Sequence, residues 1–286
     1  MKLYTFDNGD GVKRVGVELS GFPGLIRDVR DFGLPYRDMT DLIRHITPLE
    51  KERISDPEAA LDGRPLRLSS VRVCSPIPHP EQDIICLGIN YAAHADESAQ
   101  FDRKAFLLDR KKATYFSKRA YQTSGPDDLI PSYPELVTSL DYEAELAVII
   151  GRIAKSVPLE RVHEVIFGYT MANDLTARDL LEDRQWTRAK GFDGATPLGP
   201  WIETDLDTDS LNITTWVDGD VVQEGNTSEM HYSVAEQVAA ASEIFTLLPG
   251  DVILTGTPAG VSVLRDGNEV EVEVEGIGSL VTRVRD

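Results

Sequence analysis

Between residues 141 and 150 the sequence DYEAELAVII passes from alternating acids directly into five apolar residues. Strand side chains alternate faces, so Asp141, Glu143 and Glu145 are expected on one face of a strand whose buried part is Leu146 to Ile150. A second alternation, Glu269, Glu271, Glu273 and Glu275 around Val270, Val272 and Val274, has the pattern of a half-buried strand with a solvated charged face. Further strands are predicted at IICLGI (84–89), FGYTMAN (167–173), LNITTWVDG (211–219), DVILTG and SLVTRV. LYTF and RVGVEL flank Asn8, Gly9, Asp10 and Gly11 and read as a hairpin. Helical spacing predicts helices at 38–54, 91–99, 176–183 and 234–245, the last stopped by Pro249 and Gly250. Pro76, Pro78 and Pro80 resist both helix and central strand, which places a boundary near residue 75 between a small N-terminal domain (1–75) and a larger one (76–286).

This order of elements is not doubly wound, and no GxGxxG or P-loop motif occurs, so a nucleotide site has no support. The 286 residues include 48 acidic and 29 basic ones, for a formal net charge of −19. That charge repels nucleic acid and anionic membranes, and no apolar stretch approaches the length of a membrane span. The opening MKLYTFDNGDG lacks a signal peptide's apolar run, so a cytoplasmic protein is expected. Cys74 and Cys86 have neither CxxC nor metal-type spacing and are expected to be buried thiols in a reducing compartment. A small anion remains an admissible partner, because basic residues gather at Arg184, Arg188 and Lys190.

Carboxylates at the mouth of a buried strand need a partner, since an unpaired charge removed from water takes up a proton instead. Asp174, in GYTMANDLTARD, follows the acidic run after a short connection. Metal ligation by Glu143, Glu145 and Asp174 is one reading; a chance cluster is the other, because acids at i, i+2 and i+4 arise about once in a chain this acidic. His94 and Glu97 lie three apart, on one face of the helix predicted at 91–99. A carboxylate there can fix the imidazole tautomer and raise its basicity, which suits water activation, although such pairs also occur on ordinary surfaces. Lys190 precedes the glycine- and proline-rich GFDGATPLGP, whose composition predicts an irregular loop; a solvated lysine is the plainer alternative. Arg178 would face the same side of a helix start as Asp174, with a salt bridge to Asp174, Asp179 or Glu182 as its structural alternative. In GDVILTGTPAGV, Gly256 permits close backbone approach and Thr257 can donate to an anion, and a simple turn explains both equally well.

In sequence order, GINYAAHADE, the FxK element from Phe116 to Lys118, DYEAELAVIIG, GYTMANDLTARD, AKGFDGATPLGP and GDVILTGTPAGV resemble the fumarylacetoacetate hydrolase family. Each motif alone is weak; six in the family's order are specific. The resemblance runs from about residue 75 to the C-terminus, and residues 1–75 loosely resemble the small variable domain of many members. It implies an α+β, mainly β fold: a mixed β-roll catalytic domain with a small N-terminal α/β domain, assembled as a homodimer. It also implies that Glu143, Glu145 and Asp174 ligate a divalent cation, with magnesium, manganese or calcium used in the family. An all-oxygen donor set suits such hard cations and not zinc or copper. Three carboxylates within about 4 Å of one another repel by roughly 4 kcal/mol per pair at an effective dielectric near 20, so their convergence calls for a cation.

Members of the family act on 2-oxo acids and β-diketo acids. The resemblance implies hydrolysis of a carbon-carbon bond in an acylpyruvate-type substrate through a cation-stabilised enolate, with His94 and Glu97 activating water. Lys190 would stabilise the developing oxyanion or enolate, and Arg178 and Thr257 would hold carboxylate or carbonyl groups. Many relatives carry a glutamine three residues after the TARD arginine, where this chain has Leu181; Gln185 is the nearby candidate to replace its contact. Arg119 stands where relatives often have proline. The alternatives are a decarboxylase or tautomerase of oxaloacetate or a related 2-oxo dicarboxylate, a catalytically silent binding protein of the same fold, and a structural calcium site.

Overall fold

The computed structural model describes residues 1–102, 113–181 and 185–286. Part of the helix expected at 176–183 lies outside the described residues, as do Glu182 and Arg184. The architecture is α+β and mainly β, as expected: an eleven-stranded sheet, a five-stranded sheet and a small three-stranded one, with few helices.

The apolar run forms the strand Ala144–Ile150, which is buried throughout. It pairs antiparallel with Ile166–Asn173 on one side and with Val252–Leu254 on the other. Both edges are thus hydrogen-bonded and both faces are covered, which is why the sequence is continuously apolar there. Leu146, Val148 and Ile150 pack into a core with Ile213, Val270, Val272 and Val274 of the five-stranded sheet. Ala147 and Ile149 face a second core containing Leu3, Val17, Met39, Leu42 and Ile84. Period-two alternation therefore ties one strand to both cores, and Glu145 shares the face of Ala147 and Ile149.

Beyond Val252–Leu254 the large sheet continues with Ile84–Leu87 in parallel and then Tyr115–Lys118. In the other direction Ile166–Asn173 pairs with Leu198–Glu203, which pairs with Lys2–Asp7. The expected hairpin forms between Lys2–Asp7 and Arg14–Glu18, and Arg72–Cys74 adds to its first strand. One sheet thus crosses the proline-marked position near residue 75. Glu269–Val274 has the expected pattern, with its three valines buried.

Two helical expectations and one loop expectation are corrected: Thr176–Ala177 is a strand, so the helix expected at 176–183 starts only at Arg178. The segment 38–54 is two helices, Met39–His45 and Pro48–Ser55. Pro48 has no N–H to continue the first helix, and Thr47 starts the second through a reciprocal cap with Glu50. Lys190 is not in an irregular loop but ends the short helix Trp186–Lys190, and the irregular segment begins after it. Val234–Ile244 matches the expected helix, with Ser233 and Glu236 forming its capping box. Both cysteines are free and buried. No helix among the described residues is long and apolar enough to cross a membrane.

Because Ile149 is fully buried in the second core, Ile149→Ala is expected to lower unfolding free energy by about 2–5 kcal/mol in urea titrations. A loss below about 1 kcal/mol would contradict close packing of the strand on both faces.

Candidate metal centre and active site

The acidic run is not one continuous strand, which corrects the expectation that Asp141, Glu143 and Glu145 share a face. Leu140–Asp141 belongs to the three-stranded sheet and pairs with Thr176–Ala177. Pairing in the large sheet starts at Ala144. Between them the peptide groups bond to the other acid-bearing segment: Asp174 N–H donates to the Glu143 carbonyl at 2.7 Å, and Glu143 N–H donates to Asn173 Oδ1 at 3.0 Å. The break satisfies its own backbone and holds the two segments against each other.

Glu143, Glu145 and Asp174 consequently converge, all buried, each offering an oxygen within 4.8 Å of the others. Lys190 Nζ donates to Glu143 Oε2 at 2.8 Å and to Asp174 Oδ2 at 2.7 Å, 5.1 Å from the centre of the Phe116 ring. Arg178 donates through Nη2 to Glu143 Oε1 and through Nε to Asp141 Oδ2, each at 2.8 Å. Among the described residues its carboxylate partners are therefore Asp141 and Glu143 and not the Asp174 or Asp179 of the salt-bridge alternative, while Glu182 lies outside the described residues. Lys118 was not among the candidate site residues, yet it is fully buried; its ammonium bonds Asp174 Oδ1, the Leu175 carbonyl at 3.1 Å and the Ala195 carbonyl at 2.8 Å.

These contacts divide the acids electrostatically. Burial works against the charge of Glu143, but Lys190 and Arg178 outweigh it and hold its carboxyl well below the usual range. Burial also opposes the Lys190 charge, and Asp174 and Glu143 raise it above the ordinary lysine range, so the amine stays an ammonium. Glu145 is the exception. Among the described residues it accepts from the Gly256 N–H at 2.6 Å, and no cationic side chain bonds it. Burial first, then Asp174 and Glu143, push its carboxyl well above the usual glutamate range. A buried set of hard oxygens in which one member lacks a cation fits a divalent hard cation.

The helix Ala92–Asp102 carries His94 and Glu97, with His94 Nδ1 3.1 Å from Glu97 Oε2. His94 is buried and Glu97 half-buried. The segment Thr255–Gly260 ties this pair to the carboxylates. Gly256 N–H holds Glu145, and Gly260 N–H lies 3.3 Å from both Glu97 oxygens. Gly256 has φ +94°, and a Cβ there would stand 2.8 Å from the Asn90 Cβ, so glycine is required for both conformation and space. Asn90 in turn bonds the Thr255 carbonyl at 2.9 Å. Thr257 is buried and accepts from Gln223 Nε2 at 2.9 Å. Gln185 is exposed at the start of the helix Trp186–Lys190, makes no capping bond, and among the described residues is not joined to the cluster.

Fold and site together define a mainly β domain built around three buried carboxylates, with a histidine–glutamate pair on a helix that the same loop joins to them. Residues 83–285 match the fumarylacetoacetate (FAA) hydrolase C-terminal family, and the chain belongs to it. It is similar to the mitochondrial oxaloacetate tautomerase fahd2 of Xenopus laevis, 34% identical over 98% of this chain and 89% of that one. The fumarylacetoacetate hydrolase structure from psychrophilic Exiguobacterium antarcticum is 34% identical, with a TM-score of 0.83 over 100% of this chain and 99% of that chain. A maleylpyruvate hydrolase from Sphingobium sp. SYK-6, solved with manganese(II) and pyruvate, is 31% identical, with a TM-score of 0.79 over 100% of this chain and 99% of that one.

With no cation bound, Glu145 retains a proton that the unfolded chain would release, so the metal-free protein loses stability as pH rises above the ordinary glutamate range. A cation binding there displaces that proton. Magnesium titration is therefore expected to release protons, seen calorimetrically as heats that differ between Tris and PIPES by their ionisation enthalpies, and affinity is expected to rise with pH. Equal heats in the two buffers would refute the protonated state of Glu145.

Proposed function

We propose that the chain is a divalent-metal-dependent hydrolase that cleaves a carbon-carbon bond in acylpyruvate-type β-diketo acids. The observation that carries this reading is the His94–Glu97 pair, 3.1 Å apart and tied through the Thr255–Gly260 segment to the carboxylate that lacks a cation. Glu143, Glu145 and Asp174 would hold the cation, magnesium or alternatively manganese or calcium, which supplies Lewis acidity to the oxygens of a 2-oxo carboxylate.

The chain's own residues supply the proton handling. Glu97 at Nδ1 would orient the His94 imidazole as the base that takes a proton from water. The water oxygen bonds to the distal carbonyl carbon, and the bond from that carbon to the methylene next to the keto group breaks. The products are a carboxylic acid and the enolate of pyruvate, and the proton held by His94 returns to the methylene carbon. Lys190 commits two of its three N–H bonds to Glu143 and Asp174. Its third N–H has no acceptor among the described residues and is the donor that opposes charge growing on the keto oxygen. Arg178, held by Asp141 and Glu143, supplies positive charge beside the substrate carboxylate.

The Xenopus relative, named an oxaloacetate tautomerase and matching nearly the whole chain, favours a second reading. In it the same imidazole moves a proton between the carbon and the keto oxygen of oxaloacetate with no attack by water. Either way the partner is a small anionic 2-oxo or β-diketo acid. Homodimeric assembly, a cytoplasmic setting and the division into domains 1–75 and 76–286 belong to the same proposal and rest on the resemblance and the sequence pattern.

Loss of acetylpyruvate and of oxaloacetate, followed by ultraviolet absorbance with magnesium or manganese and then with excess EDTA, tests both readings. Metal-dependent acetylpyruvate loss is expected, falling about 100- to 10,000-fold in kcat in Glu97→Gln or His94→Ala. Faster change of oxaloacetate would select the tautomerase, and turnover of neither would select a silent member of the fold.

A further inference from the structure

The hydrogen bonds of Gln223 assign a direction to the hydroxyl of Thr257. Gln223 lies on the strand Asp220–Asn226 of the five-stranded sheet and is 1% exposed. Its side chain reaches across to the large sheet and makes four hydrogen bonds. Oε1 accepts from the Ala144 N–H at 3.2 Å and from Thr215 Oγ1 at 2.9 Å. Nε2 donates to Thr257 Oγ1 and to the Pro258 carbonyl, each at 2.9 Å.

Two of these partners have a single possible role. The Ala144 N–H can only donate and the Pro258 carbonyl can only accept, so the amide cannot be turned over without losing both bonds. Nitrogen therefore faces Thr257, and the Thr257 oxygen is an acceptor toward Gln223. The hydroxyl's own proton must point elsewhere. Among the described residues it meets no acceptor, although Thr257 is only 2% exposed. One residue away, Gly256 bonds Glu145 at the carboxylate cluster.

We infer that Gln223 is a positioning residue that fixes Thr257 as a hydrogen-bond donor to an oxygen of the bound 2-oxo acid, and so selects an acceptor-bearing ligand there. This rests on the 2-oxo acid reading of the site. The hairpin and the segment are built to hold this register. Gly260, at φ +111°, lets the backbone pass so close to the Val222 carbonyl that a Cβ would stand 2.2 Å from it. An amide at 223 is needed because a glutamate carboxylate would accept the Thr257 proton and withdraw it from the ligand.

The test is calorimetric binding of oxalate, an unreactive 2-oxo acid mimic, to the magnesium-loaded protein, together with kcat and KM for whichever substrate turns over. Thr257→Val is expected to weaken oxalate about tenfold, while Thr257→Ser stays within about twofold of the parent, the range of one hydrogen bond. Gln223→Met should weaken oxalate similarly and raise KM more than it lowers kcat. In the double variant with Thr257→Val no further loss should follow, because the two act through one hydroxyl. Losses that multiply in the double variant, or parental oxalate binding by Thr257→Val, would overturn the inference alone; the threonine variants decide it even if Gln223→Met does not fold. A parent that binds no oxalate would overturn both this inference and the 2-oxo acid reading beneath it.

Discussion

The constraint on which the rest of the site depends is the burial of more negative than positive charge at the end of one strand. Asp141, Glu143, Glu145 and Asp174 face Lys118, Arg178 and Lys190, and the pairs formed leave Glu145 with a backbone N–H as its partner. Losing one partner of a buried pair costs about 3–5 kcal/mol, so each cation is fixed in place by what its absence would leave behind. Lys118 shows this most directly. A fully buried ammonium would be untenable alone, but here its three N–H groups are matched by one carboxylate and two carbonyls.

The same constraint explains the architecture around the site. Ala144–Ile150 can be apolar on both faces because both sheets and their helices cover it, and only at its start does the chain admit charge. There the strand yields to a different sheet, and the peptide groups freed by the change bond to the segment bearing Asp174. Convergence of the acids is thus a product of backbone pairing as much as of side-chain attraction. The segment Thr255–Gly260 then joins three otherwise separate pieces: the carboxylates through Gly256, the five-stranded sheet through Thr257 and Pro258, and the histidine-bearing helix through Gly260.

Much of this was legible from residues. The continuous apolar run marks the strand at 145–150, alternation marks that at 269–275, the three-residue spacing marks the His94–Glu97 contact, and the ordered motifs mark the family. What was not legible depended on partners distant in sequence. Lys118 enters the sequence reading only as the end of the FxK element, and its partners Asp174 and Ala195 lie far along the chain. Gln223 looks like any polar residue in a hairpin, and nothing local distinguishes it from the exposed Glu224 beside it. Asp141 was read as the start of a shared face because alternation assumes one unbroken strand, and a change of sheet has no periodic signature. The glycines and prolines after Lys190 predict a loop and obscure a single turn of helix whose last residue sets its ammonium over Phe116.

The charge balance also bears on which acid fits. With Glu145 protonated, three carboxylates meet three cations; with Glu145 ionised and a divalent cation held by Glu143, Glu145 and Asp174, the same groups would carry a formal charge of +1. A ligand with one carboxylate, as in an acylpyruvate, brings that to neutrality. A dicarboxylate such as oxaloacetate leaves a second negative charge, costly in a site this dry unless another cation reaches it. Arg188 and Arg119 are exposed and lie close to the cluster's lysines in sequence. Leu181, half-buried on the short helix begun by Arg178, has no side-chain hydrogen-bonding group. On the proposed 2-oxo acid reading, the charge of the buried groups thus favours one carboxylate beside the cation, with any second one held away from it.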